Sequence, residues 1–212
     1  KSLSFAIRKT NEIGIKNIEY FQGDILDLGK LDKKFDLIES SGVLHHMEEP
    51  FKGLKQLSEL LNNNGIMLIG LYSDIARRDI KKAREIIREK GLQENANDIR
   101  KYRKYIISNQ VHSEMVNIPR SADFFSLSAC RDLLFHSQEH RYTIPRIKNE
   151  INKLGLNFIG FQHPNNTIIS KFSDIYRDEK AYLNLDYWED FENNNPNTFK
   201  TMYQFWVQKL SR

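Results

Sequence analysis

The spacing of hydrophobic positions changes several times along the chain, and each change marks an element. From Ser2 to Ile13 apolar residues recur at helical intervals, placing Leu3, Ala6, Ile7 and Ile13 on one side, and Gly14 follows as a left-handed cap. Asn17 to Gln22 (NIEYFQ) predicts a short strand ending at Gly23-Asp24. Phe35-Asp36-Leu37-Ile38 is apolar and too brief for a helix, the pattern of a buried strand. Glu39-Ser40-Ser41-Gly42 then turns polar and small, as where a strand ends in a crevice and backbone comes close to a ligand. Val43 to Met47 leads into Glu48-Glu49-Pro50, a helix start marked by charge and by proline. Phe51 to Leu61 predicts a helix with Leu54, Leu57, Leu60 and Leu61 inward; Asn62 to Gly65 ends it, and Ile66 to Tyr72 predicts a second buried strand. This alternation implies right-handed crossovers and a parallel sheet, an α/β fold.

From Asp74 to about Ser108 basic residues outnumber acids, and Ile80, Ala83, Ile87, then Tyr102, Tyr105 and Ile106, form helical stripes. Two basic helices broken around Gly91 are expected. Acids are interleaved and no recognition motif is present, so a solvated face is favoured over a nucleic-acid surface. Gln110 to Asp132 is irregular. Thr143 is suited to cap a helix with Pro145 in its first turn and Ile144, Ile147, Ile151 and Leu154 in one stripe, ending at Gly155. Leu156 to Gln162 predicts a strand, Asn165 to Glu192 an acidic helical stretch broken by Pro196, and Met202 to Lys209 a strand with Tyr203, Phe205 and Val207 on one face.

Composition narrows the class. The 212 residues are 40% hydrophobic and 11% aromatic, enough for one sizeable core with a small accessory lobe. No apolar run reaches membrane-spanning length, and no signal peptide opens the sequence. The single cysteine, Cys130, excludes an internal disulfide and fits a reducing cytoplasm; its apolar helical setting reads as a small buried hydrophobe. A net charge of +4 is a weak argument for any anionic partner.

Several residues could carry chemistry. His45 and His46 follow the first apolar run directly, and an imidazole titrates near neutrality, so either could serve as a base; only one of two neighbours normally faces a pocket, and packing or orienting backbone is the alternative. Tyr72 ends a strand where substrate contacts are expected, or else belongs to the core. His136 and His140 lie one helical turn apart, but no third ligand accompanies them; no metal is expected, and His140 reads as a pocket-rim residue. Asp24 could accept from an exocyclic amine or could cap a turn.

Three blocks carry a resemblance: Gly23-Asp24-Ile25-Leu26-Asp27, Asp36-Leu37-Ile38-Glu39-Ser40-Ser41-Gly42-Val43-Leu44-His45-His46, and Leu61 to Ile69. In this order they resemble class I S-adenosylmethionine-dependent methyltransferases, with Asn63-Asn64 standing where the family has Pro-Gly. Gln138 to Thr143 and the following Gly-Leu-x-Phe-Ile-Gly-Phe resemble a bacterial subset often joined to tetratricopeptide arrays. The resemblance implies a Rossmann-like, mostly parallel sheet with an antiparallel last strand. It places a partial core at 1–73, a helical insertion or substrate lid at 74–142, and the rest of the core at 143–212 with a helical insert at 165–192.

It further implies S-adenosyl-L-methionine as cofactor. Asp24 and Ile25 would meet the adenine, Glu39, Ser40, Ser41 and Gly42 would line the cofactor crevice, His45 and His46 are the catalytic candidates, and Tyr72 and His140 would face the acceptor, a small molecule or a protein. The family's glycine-rich first motif and the acidic residue closing its second strand are absent, so the chain is expected to be an N-terminally truncated portion. Open sheet edges would then favour self-association, and cofactor binding by these residues alone would be poor. Another nucleotide-binding α/β enzyme and a degenerate, non-catalytic interaction module of the same fold are the alternatives.

Overall fold

The structure, a computed structural model, describes residues 2–108, 115, 117–135 and 138–211. The first apolar stripe forms α1 (Ser2–Glu12), and Gly14 after it takes a left-handed φ of 77°. A 3-10 turn over Ile25–Lys30 precedes β1 (Phe35–Ser41), and α2 (Pro50–Leu60) follows with proline in its first turn. The next strand, β2 (Leu61–Leu71), starts directly from α2. Asn64 takes a positive φ of 63°, a conformation asparagine tolerates better than most residues, so the Asn-rich run bends inside the strand instead of forming a separate turn.

Then come α3 (Arg78–Glu89), α4 (Ala96–Ser108) and α5 (Leu127–Leu134), with Cys130 buried in the last. Thr143 accepts a hydrogen bond from the Arg146 N–H and caps α6 (Ile144–Lys153); β3 (Leu156–Phe161) follows. The stretch expected as one helical run is instead two helices, α7 (Asn166–Ile175) and α8 (Leu185–Asn194). Asn165 and Asn184 each cap a new start with their side chains, which divides the run. β4 (Tyr203–Lys209) ends the fold.

The sheet order is β1-β2-β4-β3. β1 pairs parallel with β2, while β4 runs antiparallel to both β2 and β3. Three strands therefore point one way, and the chain's last strand is inserted between them in the opposite sense. Met67 to Leu71 are buried without alternation, as expected of a strand covered on both faces, and Met67 and Ile69 register against Val207 and Phe205 of β4. The main core joins these residues to Leu54 and Leu57 of α2, Ile147 of α6, Phe172 of α7 and Trp188 of α8. A second core, around Ile80, Ile99, Tyr102, Phe124 and Leu134, holds the helical insertion together. The insertion leaves and re-enters beside itself: the Asp74 N–H donates to the Tyr142 carbonyl and the Tyr142 N–H to the Tyr72 carbonyl, both at 2.8 Å.

The N-terminal region departs from expectation. Residues 17–22 form no strand and pair with none among the described residues, and Ile18 and Phe21 are exposed; a strand needs a neighbour to pair with. The apolar side of α1 is unburied, with Ile7 and Ile13 open to solvent. Among the described residues β1 is an edge, not a buried strand, with Phe35 and Leu37 exposed, while β2 has a neighbour on each side.

Candidate functional site

β1 and β2 run parallel, so their carboxyl ends open the same end of the sheet, where α/β folds hold ligands. Ser40, Ser41 and Gly42 close β1, and Tyr72 follows β2. The two ends approach closely: a Cβ added at Gly70 would run into the Ser41 hydroxyl, and the Gly42 N–H donates to the Gly70 carbonyl at 3.3 Å. Gly42 itself needs glycine for its φ of 75°, and the space beside it is open. Ser40 Oγ is buried without a hydrogen-bond partner among the described residues, while Ser41 Oγ lies 3.4 Å from Met202 Sδ. Glu39 points to solvent.

After Gly42 a short 3-10 turn, Leu44–His46, carries both histidines. His45 is wholly buried, and neither ring nitrogen makes a hydrogen bond of normal geometry with the described residues. Burial pushes its pKa down to about 4; the neighbouring His46 and Arg77 act in the same direction, with Glu139 and the Gly70 carbonyl opposing. His45 is therefore neutral near pH 7 and shielded from any acceptor. His46 is partly exposed and its Nδ1 meets the Gln138 carbonyl at 3.1 Å.

The end of the insertion closes over these turns. The His140 N–H donates to the His45 carbonyl at 2.8 Å, which sets His140 beside the histidine turn, with its side chain half-buried. Tyr72 lies against the His45 ring, centroids 3.9 Å apart, and the Arg77 guanidinium sits 3.7 Å from the Tyr72 ring centre. Arg77 is paired with Glu139, which also binds Arg84. None of these three charges was singled out from sequence, because 62 residues separate Arg77 from Glu139 and a basic stretch reads locally as a solvated face. Behind them a groove of about 530 Å³ is lined by Lys81, Arg84, Arg88, Phe135, Glu139 and Arg141, among others.

Asp24 lies on the other arm of the N-terminal region. It caps the 3-10 turn by accepting from the Leu26 N–H at 2.9 Å, leaving its second carboxylate oxygen available, and the Ile25 N–H at the start of that turn has no intrahelical partner. An acceptor beside a donor suits a purine edge, which offers an amine to the carboxylate and a ring nitrogen to the N–H. Ile25 packs at the margin of the main core. Among the described residues no group of three or more His, Cys, Asp or Glu could hold a metal ion; His136 lies outside the described residues. No helix among the described residues is long and apolar enough to cross a membrane.

Known proteins resemble this chain in sequence or in fold. Residues 1–97 match the sequence model of a family described as a methyltransferase domain. An uncharacterized protein of Synechococcus sp. is 31% identical over 172 residues, covering 76% of this chain and 40% of that protein. The structure of PKMT2 from Rickettsia typhi aligns with a TM-score of 0.68 and 19% identity, covering 97% of this chain and 41% of PKMT2. A second PKMT2 structure, in complex with AdoHcy, aligns with a TM-score of 0.63, also at 19% identity, covering 99% and 42%. The chain thus spans about two fifths of the length of these relatives. Over residues 1–97 the sequence is thus similar to methyltransferase domains, and the fold is similar to that of PKMT2.

Proposed function

We propose that the chain is the later part of an S-adenosylmethionine-dependent methyltransferase domain, supplying the adenine end of the cofactor site and the acceptor side of the reaction centre. The observation that carries this reading is the coincidence of the methyltransferase-domain match over residues 1–97 with an open end of the sheet formed by β1 and β2. The residues fit the cofactor in part. Asp24 and the Ile25 N–H have spare capacity on an exposed turn, and Gly42 leaves room above the end of β1. The exposed edge of β1 is where the strands that hold the rest of the cofactor would pair.

When bound, S-adenosylmethionine supplies an electrophilic methyl group on sulfonium sulfur. The chain's own residues then divide the work. Glu39, Ser40, Ser41 and Gly42 line the crevice; Tyr72 and His140 face the acceptor, a small molecule or a protein. His46, partly exposed, is the proton acceptor where the acceptor needs one, and buried His45 orients the turn and the Tyr72 ring. With a single buried cysteine, the setting is a reducing cytoplasm.

Calorimetric titration with S-adenosylhomocysteine tests the reading on two proteins: residues 1–212, and a chain extended upstream by a half-domain, on the order of 70 residues. Binding by the extended chain alone is expected. Binding by neither would favour a non-catalytic module of the same fold, and tight stoichiometric binding by residues 1–212 would refute the idea of a divided site.

A further inference from the structure

Two groups lie under 4 Å from the centre of the Tyr72 ring: the His45 imidazole at 3.9 Å and the Arg77 guanidinium at 3.7 Å. Stacked on one face they would overlap, so they occupy opposite faces and the phenol is clamped between them. His45 belongs to the turn after β1, Tyr72 follows β2, and Arg77 immediately precedes α3 of the insertion. The clamp therefore ties the end of the sheet to the insertion.

What fixes Arg77 is a carboxylate from the far end of the insertion. Glu139 accepts from Arg77 Nη2 at 2.6 Å and, at a longer 3.3 Å, from Arg77 Nε, the forked arrangement that sets a guanidinium plane. Its Oε2 also accepts from Arg84 Nη2 at 2.9 Å, and Arg84 Nη2 is anchored in turn on the Leu133 carbonyl at 2.9 Å. The Glu139 side chain is 1% exposed and that of Arg77 9%. Without Glu139, two guanidinium groups would face each other in a dry site with no counter-charge, and the carboxylate that fixes Arg77 over the ring would be gone.

We infer that Glu139 is a positioning residue: through the Arg77 guanidinium it holds the Tyr72 ring on His45, and so couples the seating of the helical insertion to the acceptor side of the site. This rests on the methyltransferase reading for its purpose but not for its geometry. A phenol clamped on both faces presents its hydroxyl along one direction, which is what a group that orients an acceptor requires. Arg77 and Glu139 lie at the two ends of the insertion, so any shift of the insertion that parts them also releases the ring.

The test follows the Tyr72 ring itself in residues 1–212 carrying ring-labelled tyrosine, with its NMR signal identified by Tyr72→Phe. In the parent protein the ring signals should be displaced by the adjacent imidazole and guanidinium. Glu139→Gln should move them toward the positions of a free tyrosine, while Glu94→Gln, an exposed acid on the same groove, should leave them in place. If Glu139→Gln does not fold, Arg77→Lys keeps the charge facing Glu139 but removes the planar face, and it should shift the Tyr72 signal in the same way. An unmoved Tyr72 signal in a folded Glu139→Gln or Arg77→Lys protein would overturn the inference and leave Glu139 as a staple of the insertion alone. In the extended chain, Glu139→Gln should leave S-adenosylhomocysteine affinity within about twofold of the parent, since the clamp lies on the acceptor side; a loss on the order of tenfold or more would overturn that placement. Failure of the extended parent to bind S-adenosylhomocysteine would sink the methyltransferase reading while leaving the ring measurement intact.

Discussion

Helices α1 and α6 are written with the same kind of apolar stripe and meet opposite fates. In α6 the isoleucines at 144, 147 and 151 are at most 2% exposed, packed into the main core. In α1, Ile7 is 40% exposed, and Ile13 just beyond the helix is 70% exposed. The contrast extends to strands. β4 alternates Tyr203, Phe205 and Val207 into the core at the centre of the sheet, whereas β1 exposes Phe35 and Leu37 at its edge. Amphipathic patterning records that a partner is expected; it does not say that the partner lies in the same chain. The two regions therefore differ in what their apolar residues contribute here, and that difference can be measured.

The largest effect is expected in the buried region. Trp188 lies stacked on Phe172, centroids 3.8 Å apart, and touches Phe161, Phe191 and Phe199 edge-on or tilted. Trp188→Ala should lower the unfolding free energy by about 3–5 kcal/mol in urea denaturation, through lost burial and the cavity left among fixed rings. A loss below about 1 kcal/mol would mean that the aromatic cluster is loosely packed and that the comparison with the N-terminal region has been overdrawn.

A somewhat smaller effect should appear with acid, and it probes the site. His45 has a folded pKa of about 4 against an ordinary value of 6.5. The unfolded chain therefore binds a proton that the folded one refuses between those values. Stability should be flat from neutrality down to about pH 6.5 and then fall toward pH 4, by about 3 kcal/mol in total from this residue. The charged groups facing it are His46, Arg77 and Glu139. Glu139 is held below the usual carboxylate range by Arg77 and Arg84 despite its burial, so its own loss comes later, as pH drops through the carboxylate range and below. His45→Phe should flatten the upper part of the acid limb. An unchanged slope in that variant would assign the limb to other groups.

How much of this was readable beforehand follows the same division. The strand at Ile66 to Leu71, the stripe of α6 and the alternation of β4 are local patterns whose partners lie in the chain, and each formed the element its spacing predicts; β1 formed too, but as an exposed edge that runs on to Ser41, and β2 begins already at Leu61. The NIEYFQ segment carries an equally good strand pattern and stays unpaired, because pairing is not a local property. The division of 165–192 into α7 and α8 depends on asparagine caps that resemble ordinary polar residues in a helix. In the site, the ends of β1 and β2 were legible from the change to small polar residues. The clamp on Tyr72 was not, since Arg77 and Glu139 meet only after the insertion folds back. Reading the 74–108 charges as a solvated face holds for most of that stretch but fails at Arg77 and Asp79, both buried, the latter accepting from Asn117 Nδ2 at 2.8 Å.

The smallest effect in residues 1–212 is also the most informative about the N-terminal region. Ile13→Ser should change unfolding stability by no more than about 0.5 kcal/mol here, as for an exposed site without special contacts. In the extended chain the same substitution should be felt as a core change of about 2 kcal/mol or more, since polar replacement of a buried isoleucine loses its transfer energy and strands a hydroxyl. The exposed apolar residues of this region, among them Ile7, Ile13, Ile18, Phe21, Phe35 and Leu37, also form a surface of the kind that associates. Sedimentation velocity of residues 1–212 should thus show concentration-dependent association. Leu37→Lys, which puts a charge on the open edge of β1, should weaken it without changing the unfolding midpoint. Equal and small effects of Ile13→Ser in both chains, together with a monomer at all concentrations, would mean that this face is simply tolerated in water. Unequal effects would show that the stripe on α1 is written for strands supplied from upstream.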